Sequence, residues 1–166
     1  MDWSLACRTD SPDATRAVAV RLAGAARRGD VIVLQGSLGA GKTTFAQGFA
    51  RGLGVEGPVT SPTFTLVRQY PCTLGQLVHA DVYRLEHLAE VADLGLADLV
   101  EEGVALVEWG DVARPALGPV AWTVVLSRDA APATEDEARL LTVVGDDEAR
   151  RDAVAAVLAR HAAGAA

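Results

Sequence analysis

The residues Gly36-Ser37-Leu38-Gly39-Ala40-Gly41-Lys42-Thr43 have types and a spacing that dictate a chemistry. Gly36 and Gly41 free the backbone to wrap with successive N–H groups pointing inward, which makes a cradle for phosphate oxygens. Lys42 is then placed to reach the β- and γ-phosphates, and the Thr43 hydroxyl to hold magnesium, with Thr44 following in the first turn of a helix. Lys42 is also the only lysine in the chain. The pattern implies a bound nucleoside triphosphate.

Hydrolysis needs more than a phosphate loop. It needs an acidic residue at the end of another strand to complete the magnesium shell, and a group that orients water. Two carboxylates stand where such groups belong. Glu108 directly follows the apolar run Val104-Ala105-Leu106-Val107, which puts it at the carboxyl end of a buried strand, on the ligand-binding edge of an open α/β sheet. Asp81 follows Gln76 to Ala80, inside His79-Ala80-Asp81-Val82-Tyr83-Arg84. Taken alone, Glu108 reads as a cap on the next turn and Asp81 as a helix cap or a partner of Arg84. Beside a phosphate loop, both become candidates for catalysis and metal binding, together with Lys42. Ser61 and Thr63, in Thr60-Ser61-Pro62-Thr63-Phe64, have hydroxyls that fit either a γ-phosphate switch segment or ordinary turn chemistry. His79 reads as a structural histidine. Trp109 and Trp122 read as core or interface residues rather than a platform for adenine.

These groups need elements to hold them. Trp3 to Arg8 predicts a short strand. Ser11-Pro12-Asp13 then predicts a helix start, with Ser11 as cap and Pro12 in the first turn. Val18, Leu22 and Ala25 give that helix one buried stripe, with an end near Gly29. Val31-Ile32-Val33-Leu34 is a buried strand leading into the loop, and apolar positions after Thr44 recur at helical spacing until Gly52 to Pro58. Phe64 to Tyr70 and Gln76 to Ala80 predict strands, and Glu86 to Val100 a helix interrupted at Gly95. Pro115 to Pro119 reads as a loop. Val120 to Leu126 and Arg139 to Val144 read as a hairpin across the polar turn Asp129 to Glu137. Asp146 to His161 predicts a closing amphipathic helix, and residues 160–166 a frayed tail. Strands alternating with helices, plus a late hairpin, predict one α/β domain over residues 1–166, like a P-loop NTPase, with a mixed central sheet flanked by helices.

Composition narrows the partners. The 22 acidic against 15 basic residues give a net charge of −7, which offers no electrostatic footprint for gripping nucleic acid directly. Arg8, Arg16, Arg21, Arg27 and Arg28 crowd the first third and read as solvated helix faces. The start of the chain lacks the pattern of a leader peptide, and no run is long and apolar enough to span a membrane. Cys7 and Cys72 make neither a metal pattern nor a disulfide framework. With the nucleotide site, these features predict a cytoplasmic protein with ordinary thiols.

Several separated pieces together resemble a known family. Gly36 to Phe45, Leu53-Gly54, Ser61-Pro62-Thr63-Phe64, His79-Ala80-Asp81-Val82-Tyr83-Arg84-Leu85, Leu94-Gly95 and Val107-Glu108-Trp109 occur in the order and spacing of the TsaE (YjeE) family. Its members are bacterial P-loop ATPases required for threonylcarbamoyladenosine (t6A) in tRNA. The resemblance spans roughly residues 10 to 145, most of the chain. It implies ATP and Mg2+ as cofactors, with the loop Gly36, Ser37, Leu38, Gly39, Ala40, Gly41, Lys42, Thr43 and Thr44 on the phosphates. Thr43, Glu108 and Asp81 would serve the metal, with Asp81 near the γ-phosphate and Ser61 and Thr63 in a switch-like loop. Pro12 and Arg139 would lie on the adenine side. Its partners would be TsaD-type and TsaB-type proteins, with tRNA met only through that complex, at the adenosine beside the anticodon. The chain departs from the family at Ser37, where aspartate is usual. It also departs after Glu108-Trp109, where Gly110-Asp111 stands in place of an early arginine, so Arg114 is given no role. Two other functions fit a phosphate loop. One is a small-molecule kinase, although the segment 110–137, where a lid would lie, holds only Arg114 and Arg128. The other is a nucleotide-gated binding module with negligible hydrolysis.

Overall fold

The computed structural model describes residues 2–128 and 137–164, without the side chains of Asp111, Val112 and residues 162–164. The expected turn at 129–137 therefore lies outside the described residues except for Glu137. In chain order the elements are β1 (Trp3–Thr9), α1 (Pro12–Leu22), a 3-10 turn (Ala23–Ala25), β2 (Val31–Gln35) and α2 (Lys42–Gly52). There follow β3 (Val67–Cys72), β4 (Gly75–Asp81), α3 (Leu88–Asp93), α4 (Leu96–Glu101) and β5 (Gly103–Glu108). The last are α5 (Gly110–Leu117), β6 (Trp122–Arg128), β7 (Arg139–Gly145) and α6 (Glu148–Gly164).

The apolar runs become the centre of a seven-stranded sheet, in the order β1-β7-β6-β2-β5-β4-β3. Strands β6, β2, β5 and β4 run parallel, while β1–β7, β7–β6 and β3–β4 pair antiparallel. The mixed sheet and the late hairpin expected from sequence are both present. Ile32 and Leu34 of β2 face one core, and Val31 and Val33 face the other. Burial on both faces is why this strand reads as a continuous apolar run rather than an alternating one. Pro71 is tolerated because β3 is an edge strand, where a missing N–H costs no ladder bond.

Helix α1 starts as predicted, with Ser11 Oγ accepting from the Ala14 N–H at 3.1 Å and Pro12 in the first turn. It ends at Leu22 and tightens into the 3-10 turn, short of the expected Gly29. Helices α1 and α2 approach backbone to backbone. A Cβ on Gly48 would stand 2.4 Å from the Arg16 carbonyl oxygen, so glycine is required there. At the same crossing Arg16 Nε donates to Gln47 Oε1 at 3.3 Å.

Two expectations are corrected. Strand β3 begins at Val67 rather than Phe64, because Leu66 N–H turns back to the Pro62 carbonyl at 2.6 Å and Leu66 adopts φ 63°. The segment Pro115 to Pro119 is mostly helix, since α5 runs through Pro115 to Leu117. Proline removes one bond near the end of this short helix. Burial of Ala113 and Leu117 in the core beneath β2 outweighs that loss.

Helix α6 is anchored by one buried ion pair. The Arg150 guanidinium bridges both Asp30 carboxylate oxygens and donates to the Ala25 carbonyl at 2.9 Å. Both side chains are only 8% exposed. Asp30→Ala leaves that buried guanidinium with only the half-exposed Asp147 carboxylate at 3.9 Å, so urea unfolding should show a loss of about 3 kcal/mol. Burial pushes the Cys7 thiol on β1 up from 9.0 to about 11. Its stabilising contribution is therefore present below pH 9 and lost as pH rises from 9 to 11, where the unfolded thiol ionises first. Iodoacetamide at pH 8 should alkylate Cys7 more slowly in the folded chain than in urea.

Candidate nucleotide site

Beyond β2 the chain turns through Gly36 at φ 148°, Gly39 at 76° and Gly41 at 106°, a region side chains avoid. Gly36 is also pressed against β6, where an added Cβ would meet the Leu126 carbonyl oxygen at 2.5 Å. Gly41 caps α2 without any side-chain hydrogen bond, so the first N–H groups of the helix face the cleft beyond the loop. Lys42 is 6% exposed and folds across the loop. Its Nζ donates to the Gly36 carbonyl at 2.7 Å and the Ser37 carbonyl at 2.9 Å. The same ammonium lies 4.0 Å from the centre of the Trp109 ring.

The two carboxylates arrive from neighbouring strands. Glu108 pairs in register with Leu34 of β2 on one side and with Asp81 of β4 on the other. All three strand ends therefore open onto the same edge as the loop. Asp81 and Glu108 are 4% and 3% exposed, so each depends on specific donors. Asp81 Oδ2 accepts from Thr63 Oγ1 at 2.8 Å, Thr63 shares a hydrogen with Ser61 at 2.8 Å, and Asp81 Oδ1 accepts from the Tyr83 N–H at 2.9 Å. The turn that carries Ser61 and Thr63 is thus docked on Asp81. Glu108 Oε1 lies 2.8 Å from His79 Nε2.

Loop residues, Ser61, Thr63, Asp81, Glu108, Tyr83, Arg84, Trp109 and Arg139 line one cleft of about 570 Å³. A larger groove of about 780 Å³ runs between α1 and α6. It offers an apolar floor with Arg21 and Arg160, but no glycine loop and no carboxylate, so its size does not make it the phosphate site. The cleft's donors fit magnesium. Hard oxygens from Thr43 and one or two carboxylates are what Mg2+ takes when phosphates complete its shell. Among the described residues no cluster of three or more His, Cys, Asp or Glu could hold a metal unaided.

The structure brings together nearly all residues singled out by sequence, with one difference of place. Arg139 lines the cleft and also braces the loop from β7, its Nε donating to the Ala40 carbonyl at 3.0 Å and its Nη2 to the Gly39 carbonyl at 3.4 Å. Pro12 lies in the first turn of α1, outside the cleft lining.

Residues 9–136 match the family described as "Threonylcarbamoyl adenosine biosynthesis protein TsaE". The chain belongs to the TsaE family. It is similar to the tRNA threonylcarbamoyladenosine biosynthesis protein TsaE of Bacillus subtilis, with 42% identity over 156 residues and 93% of each chain covered. The Streptomyces coelicolor protein of the same description is 44% identical over 143 residues, covering 84% of this chain and 95% of that one. The crystal structure of Bacillus subtilis YdiB superposes with a TM-score of 0.77 at 35% identity, over 97% of both chains.

Within this TsaE chain, sequence reading missed four neighbours of the site. Trp109 leaves β5 at φ 62°, rare for a bulky side chain, and its ring packs at 4.8 Å on Tyr83 as well as beneath Lys42. Tyr83 and Arg84 reach the cleft because the chain turns directly after Asp81. His79 touches Glu108, and strand alternation held the clue, since residues 79 and 81 share a face. Gly36→Ala should displace β6 or the loop. We expect about 1–3 kcal/mol of destabilisation by urea unfolding, with loss of nucleotide binding by titration calorimetry.

Proposed function

We propose that this TsaE protein is a magnesium-dependent ATPase serving t6A formation in tRNA with TsaD-type and TsaB-type partners. The observation that carries this reading is the alignment of Leu34, Glu108 and Asp81, which joins the phosphate loop and two buried carboxylates in one cleft. The loop N–H groups and the α2 N-terminus bind the phosphates, and Lys42 swings from its carbonyl partners to the β- and γ-oxygens. Thr43 and Glu108 would hold magnesium, which would supply charge neutralisation on the phosphates, and Asp81 would orient the attacking water. Ser61 and Thr63 exchange their contact with Asp81 for one with the γ-phosphate, as a switch segment does. The relatives' names place them in t6A biosynthesis, which supports that setting here.

Among the described residues Arg84 and Arg139 line the cleft, but both are engaged elsewhere rather than aimed as a built-in finger. Arg84 lies over the exposed Phe64 ring at 4.5 Å, and Arg139 is engaged with the loop. Hydrolysis by the chain alone should accordingly be slow. The acidic surface leaves tRNA to the partners.

Lys42→Ala should weaken ATP binding by two or more orders of magnitude, roughly the loss of a buried charged contact, and unchanged affinity would remove the phosphate site. In cells depleted of the parental protein, Lys42→Ala and Glu108→Ala should fail to restore t6A, measured by mass spectrometry of tRNA nucleosides. Full restoration by both would separate the protein's role from its nucleotide site. Ser37→Asp should leave turnover equal or higher, and a clear loss would mean the loop is built around serine.

A further inference from the structure

His79 is completely buried on β4, in register with Leu106 of β5 and on the strand face that carries Leu77 and Asp81. Leu77 and Leu106 make its surroundings apolar toward β5, and the exposed Arg68 of β3 pairs with it on the other side. The imidazole makes one polar contact, Nε2 to Glu108 Oε1 at 2.8 Å. Its Nδ1 is buried with no hydrogen-bond partner among the described residues. An ionised carboxylate can only accept, so Nε2 donates, and Nδ1 is left buried without a polar partner in either protonation state. A side chain chosen for packing alone would avoid that cost. What the imidazole provides in exchange is a fixed donor on one oxygen of a buried carboxylate, the arrangement that orients metal-side ligands.

We infer that His79 is a positioning residue for Glu108: it fixes Oε1 and so presents the second carboxylate oxygen to a magnesium-bound nucleotide. The inference rests on the magnesium–ATP reading of the cleft and deepens it. His79 touches neither nucleotide nor metal and acts only through Glu108.

The test is the affinity of the full chain for a non-hydrolysable ATP analogue, with magnesium and with EDTA, by titration calorimetry. Variants are His79→Leu, His79→Gln, Glu108→Gln and the double variant His79→Leu with Glu108→Gln, each checked for folding by thermal melting. His79→Leu should keep the magnesium-free affinity and lose about tenfold or more of the gain from magnesium. His79→Gln, which retains an N–H of comparable reach, should recover most of it. The double variant should lose no more than Glu108→Gln alone, because the two residues act in series. Should His79→Leu not fold, His79→Asn, whose amide falls short of Glu108, should show the same loss of the magnesium gain. Electron paramagnetic resonance of Mn2+ in the analogue complex should change in His79→Leu and return toward the parental spectrum in His79→Gln. A magnesium gain equal to parental in His79→Leu or His79→Asn, or losses that add in the double variant, overturns the role of His79 alone. A parental chain whose affinity magnesium does not alter overturns both this role and the nucleotide reading beneath it.

Discussion

The parallel pairing of β2 with β5 is the constraint from which the rest of the site follows. Its register sets Leu34 opposite Glu108, so the strand that feeds the phosphate loop and the strand that delivers the carboxylate end level with each other. Strand β4 repeats the arrangement one position further out, with Asp81 level with Glu108. A slip of one residue in either pairing would turn a carboxylate to the opposite face of the sheet, into the core under α3, α4 and α5. That register is secured by burial on both faces, because Ile32, Leu34, Val104 and Leu106 pack to one side and Val31, Val33, Ala105 and Val107 to the other. The apolar core thereby specifies the geometry of the polar edge.

That edge concentrates charge in a place where charge is expensive. Lys42, Asp81 and Glu108 are each less than a tenth exposed, within one cleft. Each is held by a different device: Lys42 by two loop carbonyls and an indole face, Asp81 by a hydroxyl and a backbone N–H, Glu108 by an imidazole. Two of these devices lie beyond the strand ends. The Ser61–Thr63 turn rests on Asp81 through hydroxyls, and Trp109 stands at the junction of β5 and α5 in a conformation only its surroundings sustain. The imidazole, by contrast, is part of the sheet itself. Glu108 is thus held from within the sheet, and Asp81 in part from the turn outside it.

What the sequence disclosed depended on how local each feature is. The glycine loop and the helix start at Ser11-Pro12 were legible because the glycine, proline and capping requirements act within a few residues. Glu108 and Asp81 were legible because apolar runs ended at them. Strand β3 starts later than its alternation suggests because the turn at Leu66 is fixed by its N–H donating to the Pro62 carbonyl and its carbonyl accepting from the Asp81 N–H, which no local pattern announces. Helix α5 was hidden by Pro115, since the packing of Ala113 and Leu117 that sustains it comes from β2. Trp109, Tyr83 and His79 escaped notice as site residues because their places depend on strand order, and single-sequence periodicity does not give strand order. Arg139 was picked out, but its hydrogen bonds to the loop carbonyls come from the β6–β7 hairpin folding back beside β2.

The most direct test of a partner-activated ATPase is steady-state ATP hydrolysis by the purified chain, alone and with the TsaB and TsaD proteins of the same organism. A slow basal rate that requires magnesium and rises when the pair is added is the predicted result. A rate indifferent to the pair, accompanied by phosphate transfer to a small acceptor, would contradict it and make the chain a kinase built on the same loop.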